Sequence, residues 1–276
     1  MILIADSGST KTDWLVAENG RKKALINTMG LNPIHQDEAQ VHSILSDELL
    51  KQLEGINPDA IYFYGSGCNE YMSPKMCRML EREFPRCPKV EVYSDMLAAA
   101  RAVCGKQEGI ACIMGTGANS CLYDGERIVA NTPPLGYILG DEGSGAVLGK
   151  LFINALLKGL LPEDIREAWQ KESGVDYQYI INKVYREPLA NRFLASTSLF
   201  IGRHIDCAPL REMVVENFRQ HFRRNVNQYG RRDLAVGAVG SIAYYYREQL
   251  AEAAAAEGYN LGKVMRGPLD GLLQYH

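Results

Sequence analysis

The chain has 276 residues, of which 46% are hydrophobic and 23% are charged, a composition typical of a globular protein with one or two domains. Its net charge of -3 gives no electrostatic footprint for nucleic acid or for an anionic membrane surface. The seven cysteines form no C-x-x-C pair and no run approaches about 18 apolar residues, so neither a disulfide framework, a zinc ribbon nor a membrane span is indicated. We expect a cytoplasmic protein.

The first half of the chain is predicted to begin with three strands and then to alternate helices and strands. The strands at 2–5, 12–18 and 22–28 form a meander, and Asn19-Gly20 is the favoured two-residue turn between the last two. The order β-β-β-α-β-α-β-α predicts an α/β fold. The later elements are a helix at 37–53, a strand at 59–64, a helix at 74–84, a strand at 90–93 and an alanine-rich helix from Ser94 or Asp95 to about 104.

The second half restarts this order, which predicts a duplicated architecture. Asp124-Gly125 is expected to form a two-residue turn like that of the first half. We predict an N-terminal α/β lobe at 1–108, with the terminal helix 266–276 packed back on it, and a C-terminal α/β lobe at 109–265. The elements of the second lobe are strands at 110–114, 119–124 and 127–131, a helix from the Gly140–Gly145 segment to about 158, a helical insertion at about 162–228, a strand at 234–239, a helix at 241–257 and a strand near 259–265.

Each half carries a loop of small residues between its first two strands, in the segments Asp6–Thr12 and Gly115–Ser120. Small residues at a bend let backbone N–H groups and hydroxyls approach an anion closely. Two such loops in matching strand contexts indicate a protein that holds a nucleotide by its phosphates. The predicted phosphate contacts are Gly8, Ser9, Thr10 and Lys11 in the first loop and Gly115, Thr116 and Gly117 in the second.

Two aspartates at strand ends are the candidates for chemistry. Asp6 could hold Mg²⁺ through water, because this ion keeps much of its hydration shell beside phosphates. Alternatively, Asp6 is a turn former that binds the loop backbone. Asp95 could accept the proton of a hydroxyl group that is being phosphorylated. Alternatively, Asp95 only caps the alanine-rich helix.

Three glycine-rich segments allow both a functional and a structural interpretation. Gly140–Gly145 contains two adjacent acids, which is more than the start of a helix needs, although Asp141 or Ser144 could be a cap. The turn at Gly237–Ser241 could lie flat against adenosine or form a tight connection from strand to helix. The Gly65–Cys68 segment is either an active-site loop or a packing turn.

Five motifs in this order resemble those of the sugar kinase/Hsp70/actin superfamily, and they are most similar to its N-acetylglucosamine kinase-like branch, also known as the BadF/BadG/BcrA/BcrD ATPase family. The resemblance covers nearly the whole chain. It implies two duplicated ribonuclease H-like lobes, the actin-like ATPase and sugar kinase fold, with a nucleotide cleft between them and a helical insertion in the second. The motifs are Asp6–Thr12, Ser94–Ala100, Gly115–Ser120, Gly140–Ser144 and Gly237–Ser241.

The resemblance also implies roles for individual residues. It makes Asp95 the general base and Asp6 the residue that holds Mg²⁺. For Asn32, a plain turn before Pro33 stays an alternative. Leu135 stands where relatives specific for N-acetylglucosamine can carry Trp, which leaves the identity of the sugar open. The implied adenosine contacts are Gly237, Gly240 and Ser241, and the implied sugar contacts are Asn32, Asn119, Asp141 and Glu142.

The implied function is ATP-dependent phosphorylation of a sugar hydroxyl, with an N-acetylhexosamine such as N-acetylglucosamine as acceptor and with ATP and Mg²⁺ as cofactors. No nucleic acid or membrane partner is expected, and the oligomeric state, including a homodimer, is left open. The alternative is an ATPase that activates or switches a partner enzyme, like the iron–sulfur activators of dehydratases in the same family. Such an activator needs cluster-binding cysteines, whereas Cys112 and Cys121 lie in apolar strand patterns. An ATP-dependent sensor without turnover is a third option.

Overall fold

The structure, a computed structural model, describes residues 1–8, 10–53 and 55–276. The chain divides into two compact units. The first unit comprises Met1–Lys106 with Pro268–His276, and the second comprises Gln107–Gly267. Ser9, one of the predicted phosphate contacts, lies outside the described residues. Within the described part of the chain, no helix is both long enough and apolar enough to cross a membrane.

The first unit contains a five-stranded sheet in the order β3-β2-β1-β4-β5. The meander β1-β2-β3 is antiparallel, whereas β4 and β5 join β1 in parallel. Asn19 and Gly20 both have positive φ angles, as the predicted two-residue turn requires. The strands are β1 (Ile2–Ser7), β2 (Lys11–Glu18), β3 (Arg21–Met29), β4 (Ala60–Gly65) and β5 (Val90–Ser94).

Alternation along the strands of this sheet separates a core face from a face that carries polar groups. Leu3, Ala5, Trp14 and Val16 lie in the core together with buried residues of the helices on that face. Since neighbouring side chains alternate, Asp6 faces the other way. The helices are α1 (Glu38–Ile44), a π-helical turn (Leu45–Leu50), α2 (Lys51–Leu53), α3 (Ser73–Glu83), α4 (Asp95–Cys104) and, from the chain end, α14 (Leu269–Tyr275).

The second unit repeats this topology. Its sheet has the order β10-β9-β6-β7-β8, in which β6, β7 and β8 are antiparallel and β9 and β10 join β6 in parallel. Read from the meander edge, the two sheets have the same connectivity, which confirms the predicted duplicated α/β fold. The strands are β6 (Gly109–Met114), β7 (Ala118–Tyr123), β8 (Ile128–Ala130), β9 (Ala235–Val239) and β10 (Asn260–Met265).

The helices between Glu163 and Arg224 form the insertion. Their apolar faces and that of the preceding helix build the larger of the two cores, around Phe152, Phe200 and Phe218. The helices of this unit are α5 (Gly136–Leu139), α6 (Gly145–Leu157), α7 (Glu163–Ser173), α8 (Tyr177–Tyr185), α9 (Ala190–Ser196), α10 (Ser198–Arg203), α11 (Ala208–Arg224), a 3-10 turn (Val226–Tyr229), α12 (Ser241–Tyr245) and α13 (Arg247–Ala256).

Two local predictions are wrong. Asp124-Gly125 is part of a longer connection between β7 and β8, because the Asp124 carboxylate accepts hydrogen bonds from the N–H groups of Glu126 and Arg127. The predicted helix 241–257 is two helices, because the backbone leaves the helical conformation at Tyr246, whose ring is buried and whose hydroxyl donates to the Ser198 carbonyl.

Candidate active site

The first phosphate loop is a hairpin between β1 and β2, which its backbone and a buried hydroxyl hold closed. The Gly8 N–H donates to the Lys11 carbonyl at 3.0 Å, and Gly30 N–H donates to the Thr10 carbonyl at 3.0 Å. The Ser7 hydroxyl contacts that of Thr12 at 2.7 Å and also bonds the N–H and carbonyl of Leu31. Ser7 therefore ties the hairpin to the segment that carries Asn32.

Asp6 is a partly buried carboxylate among other carboxylates. It lies directly opposite Asp13 in the β1–β2 register. Burial, followed by the charges of Asp95 and Asp13, raises the pKa of Asp6 to about 7, and Lys11 offsets only part of this effect. The fold thus concentrates negative charge at the end of β1, which a bound cation would neutralise.

Lys11, predicted to contact phosphate, has its ammonium group 2.8 Å from an Asp13 carboxylate oxygen. Asn27 donates to the same carboxylate. The Lys11 side chain nevertheless stays 69% exposed. An exposed ion pair of this kind is weak and exchangeable, so Lys11 can reach an anionic ligand by changing partners.

Asp95 is not the cap of its helix. Ser94 is the N-cap of α4, and its hydroxyl accepts a hydrogen bond from the Leu97 N–H at 3.2 Å. The Asp95 carboxylate instead accepts from the Ser66 hydroxyl at 2.9 Å and from the Met96 N–H at 2.8 Å. Helix capping therefore does not explain Asp95, because Ser94 is the cap. Asp95 is a partly exposed carboxylate with a fixed orientation.

Ser66 is a site residue in the Gly65–Cys68 segment, which was predicted to be either an active-site loop or a packing turn, with no role given to Ser66 itself. Its own N–H donates to the Ser7 carbonyl at 2.8 Å, so the loop after β4 runs beside the first phosphate loop. Burial, and then the Asp95 charge, raise the pKa of the neighbouring Cys68 thiol to about 12. A serine between two glycines at a strand end was the available signal.

Asn32 lies against the same loop. Gly67 has φ +82°, and a Cβ atom there would fall 2.5 Å from the Asn32 side-chain oxygen. That oxygen accepts from the Ile34 N–H at 3.0 Å, as in the turn before proline that the sequence allowed. Among the described residues no hydrogen bond from the Asn32 side-chain nitrogen is recorded, and this group is the one that could donate to a ligand.

In the second unit, the second phosphate loop is joined to the beginning of α6. The Gly145 N–H donates to the Gly115 carbonyl at 2.9 Å, and the Ala146 N–H donates to the Thr116 carbonyl at 3.1 Å. The loop itself is closed by Gly115 N–H donating to the Gly117 carbonyl at 2.9 Å. Loop carbonyls thus satisfy N–H groups that every helix start leaves without intrahelical partners.

Asp141 contacts this phosphate loop. A Cβ atom at Gly117 would lie 3.0 Å from an Asp141 carboxylate oxygen, and the Ala118 backbone hydrogen-bonds the same carboxylate. Burial raises the pKa of Asp141, this hydrogen bond lowers it in part, and the Glu142 charge raises it further. Asp141 has φ +56°, in the left-handed region, so its surroundings must hold it there. Ser144, not Asp141, is the N-cap of α6.

Two predicted sugar contacts already have protein partners. Glu142 turns toward the end of α11, where Arg224 and Asn225 donate to its carboxylate at 3.5 and 3.3 Å. The Asn119 side-chain oxygen accepts from Asn131 and from the Ser120 N–H, each at 2.9 Å. Any ligand contact by Glu142 competes with Arg224, whereas the Asn119 side-chain nitrogen has no recorded bond within the described chain.

The predicted adenosine motif lies at the edge of a cavity of about 740 Å³ within the second unit. Gly240 has φ +129°, and a Cβ atom there would fall 2.2 Å from the Met114 carbonyl, so the turn presses against the second phosphate loop. Ser241 lines the cavity. Gly237, by contrast, lies inside β9 opposite Ala111 of β6.

Aromatic and cationic side chains, which no predicted motif included, complete this cavity. Tyr244 and Tyr245 line it together with Arg266, whose guanidinium lies 5.7 Å from the centre of the Tyr245 ring. Tyr245 is 61% exposed. The cavity has the volume of a small-molecule pocket. A flat tyrosine ring beside a guanidinium suits a purine base. The three consecutive tyrosines after the glycine-rich turn were the signal for it.

The expected magnesium ion would need oxygen ligands at the first phosphate loop. Among the described residues, no group of three or more histidine, cysteine, aspartate or glutamate side chains is placed to hold a metal. Magnesium near phosphates is usually bound by one or two carboxylates and several waters. Asp6, with its raised pKa and its carboxylate neighbours, fits that kind of site.

Comparisons with known proteins give the family of the chain. A solved structure from Porphyromonas gingivalis, provisionally named an N-acetylglucosamine kinase, is 48% identical, with a TM-score of 0.96, and the match covers 100% of this chain and 98% of that one. The chain belongs to the N-acetylglucosamine kinase-like family. The predicted family and enzyme class, an ATP-dependent sugar kinase, are confirmed with it.

Two further similar proteins extend the comparison. N-acetylmuramic acid/N-acetylglucosamine kinase from Clostridium acetobutylicum is 26% identical over 211 residues, which cover 71% of this chain and 68% of that protein. A structure from Chromobacterium violaceum, also provisionally named an N-acetylglucosamine kinase, has 18% identity, a TM-score of 0.77 and coverage of 99% and 98%, which shows the shared fold. No protein-family model matches the chain.

Proposed function

We propose that this sugar kinase transfers the γ-phosphoryl group of ATP to a hydroxyl of an N-acetylhexosamine such as N-acetylglucosamine, with Asp95 as the general base. The observation that carries the assignment of Asp95 is its position in α4. Ser94 caps the helix, so the Asp95 carboxylate is available for chemistry, and Ser66 orients it.

In this proposal the acceptor oxygen bonds to the γ-phosphorus, the bond from that phosphorus to the bridging oxygen of ADP breaks, and the hydroxyl proton passes to Asp95. Each Asp95 carboxylate oxygen accepts one protein hydrogen bond and keeps a second acceptor site. The carboxylate can therefore stay bound to Ser66 and Met96 while it takes the proton.

The nucleotide is assigned to the two phosphate loops and to the cavity beside Ser241. In the first loop Gly8, Thr10 and Lys11 would contact phosphate, and in the second Gly115, Thr116 and Gly117 would. Adenosine is assigned to the cavity that Ser241 lines, where Tyr245 offers a stacking surface. When bound, Mg²⁺ beside Asp6 would neutralise charge on the phosphates.

Acceptor contacts are proposed separately within each unit. In the first unit the Asn32 side-chain nitrogen is the available donor. In the second unit Asp141 keeps acceptor sites beyond its bond from Ala118, and Asn119 keeps its side-chain nitrogen. Carboxylates and amides are suited to pairs of sugar hydroxyls. The names of the relatives support an N-acetylated hexosamine.

The activator alternative has less support. Cys112 and Cys121 are buried at 0% exposure in the second sheet, where they cannot reach a cluster at a surface.

An assay of ADP release tests the proposal. We expect ATP turnover that requires Mg²⁺ and rises sharply when the correct acceptor is added. The panel should include N-acetylglucosamine, N-acetylmuramic acid, N-acetylmannosamine and glucose. Equal ADP release with and without every sugar, in a protein that binds ATP well, would contradict the kinase proposal.

Asp141 is predicted to govern acceptor affinity. Asp141→Asn should raise the KM for the sugar by roughly 5- to 150-fold, because one hydrogen bond to a sugar hydroxyl in the site is lost. Its KM for ATP should change by less than about threefold. Asparagine is the substitution of choice because it tolerates the left-handed backbone that Asp141 adopts.

Asp176→Ala is the control for this prediction. It removes the cap of α8, which lies outside the Gly140–Ser144 loop, and should lower stability by about 1 kcal/mol, with the ratio of the two KM values unchanged. A sugar KM in Asp141→Asn that stays at the wild-type value would remove Asp141 from the acceptor site.

A further inference from the structure

Two buried polar side chains on helix α11 of the insertion face the Gly140–Ser144 loop, which carries Asp141 and Glu142. Asn217 and His221 are one helical turn apart and are 2% and 1% exposed. The buried residues around them on this helix are apolar, including Val214 and Phe218. Buried polar groups on a core face are costly unless they are hydrogen-bonded, so their partners indicate their purpose.

Their partners are three consecutive backbone positions of the Gly140–Ser144 loop. The Asn217 side-chain oxygen accepts from the Gly143 N–H at 3.0 Å, and its nitrogen donates to the Ser144 carbonyl at 3.2 Å. His221 Nδ1 lies 2.8 Å from the Glu142 carbonyl. Because a carbonyl only accepts, Nδ1 must carry the proton.

The loop backbone is pressed directly onto this helix. Gly143 has φ +85°, and a Cβ atom there would lie 3.0 Å from His221 Cβ. On its other side the same loop holds the Asp141 carboxylate against Gly117 and the Ala118 backbone. The segment after Asp141 is therefore fixed between α11 and the second phosphate loop.

Stability alone does not account for His221. Its Nε2 is buried without a hydrogen-bond partner among the described residues. An orphaned buried polar atom opposes folding, and an apolar residue of similar size would avoid that loss. Burial also lowers the pKa of His221 to about 4, so the ring is neutral near neutral pH and Nδ1 remains its only proton donor. What His221 supplies is the contact to Glu142.

We propose that Asn217 and His221 are positioning residues that hold the Gly140–Ser144 loop, and through it the strained Asp141, in the conformation that binds the acceptor sugar. This inference rests on the proposed function, because it takes Asp141 as a sugar contact. It makes the helical insertion part of acceptor recognition, although neither side chain touches the sugar.

The test compares KM values in two series of variants. Asn217→Leu keeps the side-chain volume but removes both loop contacts, and His221→Leu removes the third. Each should raise the KM for the sugar roughly tenfold or more and leave the KM for ATP within about threefold. His221→Asn places an amide N–H where Nδ1 was, and it should restore most of the sugar affinity lost in His221→Leu.

Val214→Ala is the control for general destabilisation. It deletes buried methyl groups from the same helix and should lower the melting temperature without changing the ratio of the two KM values. Hydrogen exchange at the Gly143 amide supplies a readout that needs no substrate, and exchange should be faster in Asn217→Leu but not in Val214→Ala.

The outcomes separate this inference from the proposed function. A wild-type protein without sugar-stimulated ADP release would overturn both. Active wild type, together with faster Gly143 exchange and an unchanged sugar KM in Asn217→Leu, would overturn the positioning role alone. The positioning role would also be overturned if His221→Asn had as high a sugar KM as His221→Leu. A Val214→Ala variant with the same loss of stability as Asn217→Leu and the same rise in sugar KM would overturn it too.

Discussion

Asp95→Asn is expected to lower turnover by roughly 10² or more, while the KM values for ATP and sugar stay within a few-fold of the wild-type values. The amide cannot take the hydroxyl proton, yet it preserves the local geometry. Its oxygen can still accept from the Met96 N–H, and the Ser66 hydroxyl can accept from its nitrogen. Steady-state ADP release, measured with saturating ATP and sugar, gives the comparison.

Ser94→Ala is the control that separates catalysis from helix capping. Ser94 is the residue that caps α4, so its loss should cost about 1 kcal/mol of stability. Turnover in Ser94→Ala should remain within a few-fold of the wild-type rate. If Asp95→Asn turns over at nearly the wild-type rate, Asp95 is a structural residue of the helix start and the general-base assignment is wrong.

The fold was predictable because the two halves of the sequence repeat the same order of elements. Each half has a strand, a small-residue loop and a strand in the same order, and the structure gives both halves the same sheet connectivity. Local hydrogen bonding limited the accuracy elsewhere. The Asp124 carboxylate lengthens the turn after β7, and the buried Tyr246 interrupts a pattern that reads as one helix.

The sequence motifs predicted individual candidate site residues, but they did not predict the contacts that residues outside the motifs make with them. Asp6 lies near the end of β1 and Asp95 directly follows β5, and the Asp95 charge helps to raise the pKa of Asp6. Ser66, by contrast, approaches Asp95 only because β4 lies beside β1 and β5, which a single motif does not reveal. The Asn217 and His221 contacts join parts of the chain more than 70 residues apart, and their helical pattern on α11 is that of ordinary core positions.

Asp6→Asn is expected to abolish useful activity and yet to stabilise the protein without nucleotide. Mg²⁺ supplies several kcal/mol to phosphoryl transfer, so loss of its carboxylate should lower turnover by about 10² or more. The stability effect follows from the pKa of Asp6, which is about 7 in the folded protein against an ordinary value of 3.8. An ionised Asp6 therefore opposes folding, by about 4 kcal/mol above pH 7.

The sign and the pH window make this prediction specific. Below about pH 3.8 Asp6 is protonated in both the folded and the unfolded states, so the aspartate and the asparagine proteins should be equally stable. The advantage of the asparagine variant should then grow as the pH rises from 3.8 to about 7 and should stay constant above that. Urea denaturation of both proteins at pH 5 and at pH 8 measures the difference.

Asp47→Asn provides a control of opposite sign. Asp47 is exposed, and its hydrogen bonds from Lys51 and then Ser43 lower its pKa, so its removal should not stabilise the protein at pH 8. Mg-ATP should reduce the difference in unfolding free energy between the two proteins. Binding neutralises the Asp6 carboxylate and so stabilises the wild-type protein more than Asp6→Asn. If the two proteins differ equally at both pH values, or if wild type is the more stable at pH 8, Asp6 does not carry the uncompensated charge that a magnesium ion would neutralise.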